Sequence, residues 1–162
     1  MPIQHTVVFR LRHQSGSREK TAFTLANGAL GRLHLSGFPH LLSTDRKALV
    51  SEAVRVHKDL RPFIRTATPS WPLGLAQRDE QWQALALRDR TQTVLTLWHQ
   101  DGTATDVRVS LPSLRGRDVH VEVLFPAGAP AWGIAWSSED EVLEVTAANA
   151  SLTARVLRLT PQ

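Results

Sequence analysis

Fifteen Asp and Glu, seven His, five Trp and no Cys bound the chemistry open to this chain of 162 residues. Without cysteine there is no thiol nucleophile, no thiolate zinc site and no disulfide framework. Hydrolysis by a carboxylate pair would need two acids brought to one surface. Asp45, Glu52 and Asp59 instead share one helical stretch, and the other acids fall in turns or β-type runs, where they read as solvated groups. Ser51, His57 and Asp59 have the residue types of a hydrolytic triad, yet all sit on one helix and lack the strained turn that exposes such a nucleophile. No two His stand at metal-ligand spacing beside an acid; His5, His13, His40, His57, His99 and His120 read as surface residues. No metal or cofactor is expected. Trp132 and Trp136, four apart on one strand face, are the candidate sugar platform. In a chain with no Tyr and five Phe, the same rings are also the bulkiest core material, and packing is the favoured reading.

The elements that must position these groups change character along the chain. Thr6 to Leu11 predicts a strand, Gln14 to Ser17 a turn, and Arg18 to Ala29 a short helix stopped by Asn27 and Gly28. Leu30, Leu33 and Leu35 make a buried strand punctuated by Gly28, Gly31 and Gly37. A long helix follows, capped by Ser43 or Thr44, with Asp45 in its first turn and an apolar stripe of Leu49, Ala53, Val56, Leu60 and Phe63 or Ile64. Its other face carries Arg46, Lys47, Glu52, Arg55, Lys58 and Asp59, with Glu52/Arg55 and Arg55/Asp59 at pairing distance. Pro62 ends or kinks it. Thr66 to Pro72, with prolines around Trp71, predicts irregular linker chain.

Beyond the linker the period is two. Gln81–Leu87, Thr93–Trp98, Thr105–Leu111, Val119–Phe125, Trp132–Trp136, Glu141–Thr146 and Leu152–Leu159 predict seven short strands of an antiparallel sandwich, with a hairpin at Asp101–Gly102 and a turn at Gly116.

Net charge is +4 and the pI about 10.6, but the arginines are scattered singly with no nucleic-acid motif, so no nucleic-acid partner is expected. Residues 1–20 lack the continuous apolar core of a signal peptide and no apolar run is long enough to span a bilayer; neither membrane association nor secretion is expected, and the expected compartment is the cytoplasm.

The blocks FRLR (Phe9–Arg12), TAFTLANGALGRLHLSG (Thr21–Gly37), ALVSEAVRVHKDLRPFI (Ala48–Ile64) and SWPLGL (Ser70–Leu75), followed by a β region ending in ARVLRL (Ala154–Leu159), resemble the C-terminal end of α-galactosidase-type enzymes of glycoside hydrolase family 36. The resemblance implies an α+β chain. Residues 1–65 would be a strand-helix remnant of a (β/α)8 barrel with a long helix at about 44–61, residues 66–80 a linker, and residues 81–162 a small antiparallel β-sandwich. Gly31 to Leu35 would be the eighth barrel strand. The catalytic carboxylates of such enzymes lie on earlier strands, so the resemblance implies a C-terminal fragment or domain of an α-galactoside hydrolase that is inactive alone. His34 and Ser36, at the C-terminal end of that strand, would line its sugar pocket, against the plainer reading that they satisfy local backbone groups. Implied partners are α-galactoside sugars, the missing barrel portion, or a second copy held through the long helix. The alternative is a non-catalytic carbohydrate-binding or interaction module using Trp132 and Trp136. The β half is expected to be the stable unit, with Trp71 and Trp82 at the junction and the N-terminus frayed.

Overall fold

The structure, a computed structural model, describes residues 17–37, 39–75, 77, 80–149 and 151–162, and the backbone of Thr6–Leu11. Strand β1 (Thr6–Leu11), helix α1 (Arg18–Ala29), strand β2 (Arg32–Gly37) and the 21-residue helix α2 (Thr44–Ile64) come first. β1 and β2 pair in parallel, from Thr6 opposite Arg32 to Leu11 opposite Gly37, with α1 as the crossover.

Local chemistry sets these boundaries. The Ser17 hydroxyl accepts from the Lys20 N–H at 3.2 Å, and Glu19 lies in the first turn of α1, satisfying orphan donors and the helix dipole together. Asn27 and Gly28 do not stop this helix, which runs on to Ala29. Gly28 serves another purpose: a Cβ there would lie 2.6 Å from Leu33 Cδ1, so its bareness lets β2 fold back against the helix. In α2 the buried positions are Leu49, Ala53, Val56, Leu60 and Phe63, the predicted stripe. Pro62 is held in the last turn and the helix ends at Ile64. Of the expected charged pairs, Arg55 and Asp59 approach to 3.9 Å on the exposed face. Glu52 instead accepts from the Ala127 N–H at 2.7 Å, tying α2 to the β body.

The rest is β-structure: β3 (Thr68–Ser70), β4 (Trp82–Arg88), β5 (Thr93–His99), β6 (Asp106–Ser110), β7 (Val119–Phe125), β8 (Gly133–Ser137), β9 (Val142–Thr146) and β10 (Thr153–Pro161). A five-stranded sheet has the order β3-β4-β5-β10-β7 and a three-stranded sheet the order β6-β9-β8, both antiparallel. The seven predicted strands are β4 to β10. Two expectations are corrected. Thr68–Ser70, read as irregular, is an edge strand on β4, a place where the lost N–H of Pro69 is tolerated. Asp101–Gly102 is not a hairpin, because β5 and β6 belong to different sheets and the turn carries the chain across the sandwich. Gly102 lies against the end of the Gln81 side chain, which a Cβ would displace and whose Oε1 accepts from Ala104 N–H at 2.9 Å.

The five-stranded sheet is the middle of three layers. One face meets the helices: Leu87, Val94, Phe125, Ala154 and Val156 join Leu25, Ala26, Leu49, Ala53, Val56, Leu60 and Phe63 in one buried cluster. The opposite face, with Ala84, Ala86, Leu95, Leu97, Leu157 and Leu159, closes on Val109, Leu143 and Val145 of the smaller sheet. The junction between helices and sheet therefore does not run through the tryptophans that were expected there. Trp71 is 39% exposed, and Trp82 is buried between the two sheets. Among the described residues no helix is long and apolar enough to cross a membrane.

Candidate functional site

Two regions carry the predicted site residues. The first is β2, where alternation places Leu33, which meets Gly28 of α1, and Leu35 on the helix side. His34 and Ser36 lie on the opposite face, His34 exposed and Ser36 half-buried. The sequences of β1 and β2 contain no Asp or Glu. Among the described residues these two strands form a sheet of their own, and Leu35 remains 40% exposed. His34 and Ser36 are thus presented together at the C-terminal end of a parallel strand, without an acid of their own strands beside them.

The second region lies in the sandwich. Trp132 is only 8% exposed. Its ring is crossed edge-on by Trp82, with centroids 5.4 Å apart, and covered by the Arg155 guanidinium at 4.7 Å. Trp136 is half-buried, and its Nε1–H donates to the Arg117 carbonyl at 2.9 Å. The two rings are therefore not brought together as an open platform: Trp132 is spent on packing and Trp136 on pinning a loop. Arg155 donates to Thr153 Oγ1 at 2.9 Å, Ala154 O at 2.8 Å and Pro130 O at 2.6 Å. Burial, with Arg18 close by, pushes this guanidinium down to about 10. Carbonyl acceptors and an aromatic face, rather than a carboxylate, compensate the buried charge.

The remaining candidates separate. On α2, His57 Nδ1 lies 3.2 Å from the Ala29 carbonyl at the end of α1, and Asp59 faces Arg55, so Ser51, His57 and Asp59 form no triad. His40 and His120 are exposed as expected, while His5 and His13 lie outside the described residues. His99 is a correction: it is fully buried, its ring nitrogens 3.1 Å from the Ser151 carbonyl and 3.0 Å from that of Ala104, with the Trp82 ring tilted against it at a centroid distance of 4.6 Å. It joins two of the connections that pass between the sheets, β5-β6 and β9-β10. Among the described residues, no group of His, Asp and Glu could hold a metal.

Sequence reasoning missed Arg155. Its signal was present in the alternation of β10, where Arg155 shares a face with Leu157 and Leu159, so its register position is a core position.

No protein-family model matches the sequence, and no curated protein matches it. Solved structures do. The galactosidase domain of alpha-galactosidase-sucrose kinase, AgaSK, superposes with a TM-score of 0.67 at 16% identity, over 96% of this chain and 21% of that one. An Anoxybacillus alpha-amylase, described as giving insight into a new glycosyl hydrolase subclass, superposes with a TM-score of 0.54 at 14% identity, over 89% of this chain and 33% of that one. The fold is therefore one found within glycoside hydrolases, and the chain spans a third or less of the length of either structure.

Proposed function

We propose that this chain is the C-terminal part of an α-galactosidase-like glycoside hydrolase, in which β1-α1-β2-α2 supplies the closing units of a (β/α)8 barrel and the sandwich is the domain behind it. The observation that carries the reading is the parallel β1-β2 pair with its helices, in front of an antiparallel sandwich, in an arrangement that matches a galactosidase domain across 96% of the chain. Barrel closure needs each strand paired on both sides, and here the partner is the remainder of the barrel, pairing along β1 and β2. His34 and Ser36, on the face away from the helices, would then point to the barrel interior at the end where such folds hold substrate.

In this reading the catalytic carboxylate pair comes from the rest of the barrel, because neither strand carries an acid. The chain alone binds no substrate productively and turns none over. The purified chain should leave a chromogenic α-galactoside intact. Hydrolysis above background that is abolished by a substitution within the chain would overturn the proposal. The reading as a carbohydrate platform on Trp132 and Trp136 is not favoured, because Trp132 is buried, with the Arg155 guanidinium over its ring and Trp82 in edge contact.

A further inference from the structure

Thr68, Arg88, Thr93 and Leu159 stand opposite one another on β3, β4, β5 and β10, forming a row across the end of the five-stranded sheet on its sandwich side. Above this row the chain between β6 and β7 passes as a short 3₁₀ turn (Pro112–Leu114) and a loop. Between them is a cleft of about 670 Å³, lined by Thr66, Thr68, Arg88, Arg90, Thr93 and Arg117 among others. That volume lies within the range of about 300–1,000 Å³ typical of small-molecule sites.

Three observations bear on what the cleft would take. Among the described residues, the guanidiniums of Arg88, Arg90 and Arg117 make no ion pair or hydrogen bond, unlike Arg108, Arg115 and Arg158, which pair with Glu144, Glu141 and Glu122. The one carboxylate lining the cleft, Asp89, is committed elsewhere. Its Oδ1 accepts from Thr91 N–H at 2.7 Å, Thr91 Oγ1–H at 2.8 Å and Gln92 N–H at 2.9 Å, which fixes the β4-β5 turn that carries Arg90. Finally, four buried side-chain polar atoms among the described residues have no hydrogen-bond partner, on Thr93, Thr96, Trp98 and Arg158, and Thr93 Oγ1, on a residue 2% exposed, is the one that belongs to the cleft lining.

The walls are also held in place before any ligand arrives. Gly116 adopts φ 65°, and its N–H donates to Ser138 O at 3.0 Å. The Arg117 N–H donates to Leu114 O at 3.2 Å, and the Arg117 carbonyl accepts from Trp136 Nε1–H at 2.9 Å. Arg117 thus stands on a loop fixed at both of its backbone groups.

We infer that this cleft is a binding site for a phosphomonoester of a small polyhydroxy molecule, the guanidiniums taking the phosphate and the hydroxyls of Thr66, Thr68, Thr93 and Ser113, with the Gln92 amide, taking the hydroxylated part. Guanidinium forks match phosphate oxygens in pairs, and a wall of hydroxyls and an amide offers both donors and acceptors. The site does not depend on the barrel-closing role, since every residue in it belongs to the β body or its approach from α2.

Isothermal titration of the full chain at low salt tests the inference, with glucose 6-phosphate, inorganic phosphate and glucose as probes. Glucose 6-phosphate should bind saturably, weaken as salt rises, and lose about tenfold in affinity in Arg88→Gln and in Arg117→Gln, each replacing one charge-assisted contact. Arg108→Gln, which removes a guanidinium outside the cleft, should leave binding unchanged, and thermal melts of each variant check that these exposed substitutions leave the fold intact. Absence of saturable binding by both phosphate probes, or unaltered binding in an Arg88→Gln, Arg117→Gln double variant, would overturn the site. Inorganic phosphate binding as tightly as the ester, or glucose binding equally well, would overturn the ligand class.

Discussion

The Arg155 guanidinium lies 4.7 Å from the centroid of the Trp132 ring, with three oxygens as its acceptors and no carboxylate among them. Replacing it by methionine keeps the aliphatic stem but strips the donors from Pro130 O and Ala154 O. Arg155→Met should cost about 1–3 kcal/mol at neutral pH, read from urea midpoints. The pH dependence has a definite sign. Burial, with Arg18 close by, lowers the folded-state value to about 10, well below that of a free guanidinium, so the charged form is disfavoured in the fold, constantly so below pH 10, and stability is regained as pH rises from there. The stability difference between wild type and Arg155→Met should therefore widen above pH 10; a flat or narrowing difference would contradict the buried, unpaired charge.

Leu49 and Leu60 of α2 are each 1% exposed, within the cluster shared with the five-stranded sheet. Leu49→Ala or Leu60→Ala should each cost about 2–5 kcal/mol. Val123, 39% exposed on β7, is the comparison, with an expected loss below about 1 kcal/mol on truncation to alanine. Equal losses at buried and exposed positions would mean that the helix does not dock on this sheet.

Because the middle sheet lines both clusters, helices and sandwich should unfold together. Far-UV circular dichroism, dominated by α1 and α2, and tryptophan fluorescence, reporting Trp82 and Trp132 in the sandwich, should give coincident urea transitions. An earlier helical transition would show two independent units, with the sandwich persisting alone.

Asp89 governs the acid limb of the β4-β5 turn. Desolvation pushes its carboxyl up, but the hydrogen bonds from Thr91 and Gln92 outweigh this and leave it below its ordinary 3.8. A depressed carboxylate gives stability that is present above that value and lost as pH falls through the folded one. Asp89→Ala should lower stability modestly at pH 7 and flatten the acid-side dependence below pH 4. An acid limb identical to wild type would show that the turn does not hold the charge.

Legibility in the sequence followed the range of the forces involved. The α2 stripe and the seven sandwich strands were readable because the period of apolar residues is local. Thr68–Ser70 was missed since prolines forbid central strands but not edges, and an edge has no local mark. Asp101 and Gly102 have hairpin chemistry, yet turn residues do not say which sheet receives the next strand. His99 was read as surface because histidine is polar, while carbonyls from two distant connections bury it. The cleft arginines looked scattered along the chain, since Arg88 and Arg117 come to line one cleft only when the sheet closes under the 3₁₀ turn.

β10 pairs with β5 on one side and β7 on the other, and its two faces feed both buried clusters, Val156 toward the helices and Leu157 toward the smaller sheet. During synthesis from the N-terminus, every other strand is made before this one, so neither core can close until Thr153–Pro161 is available. The growing polypeptide must carry the apolar faces of α2, β4 and β5 open until then, which makes the interval before β10 arrives the period of greatest exposure to aggregation and to chaperone capture.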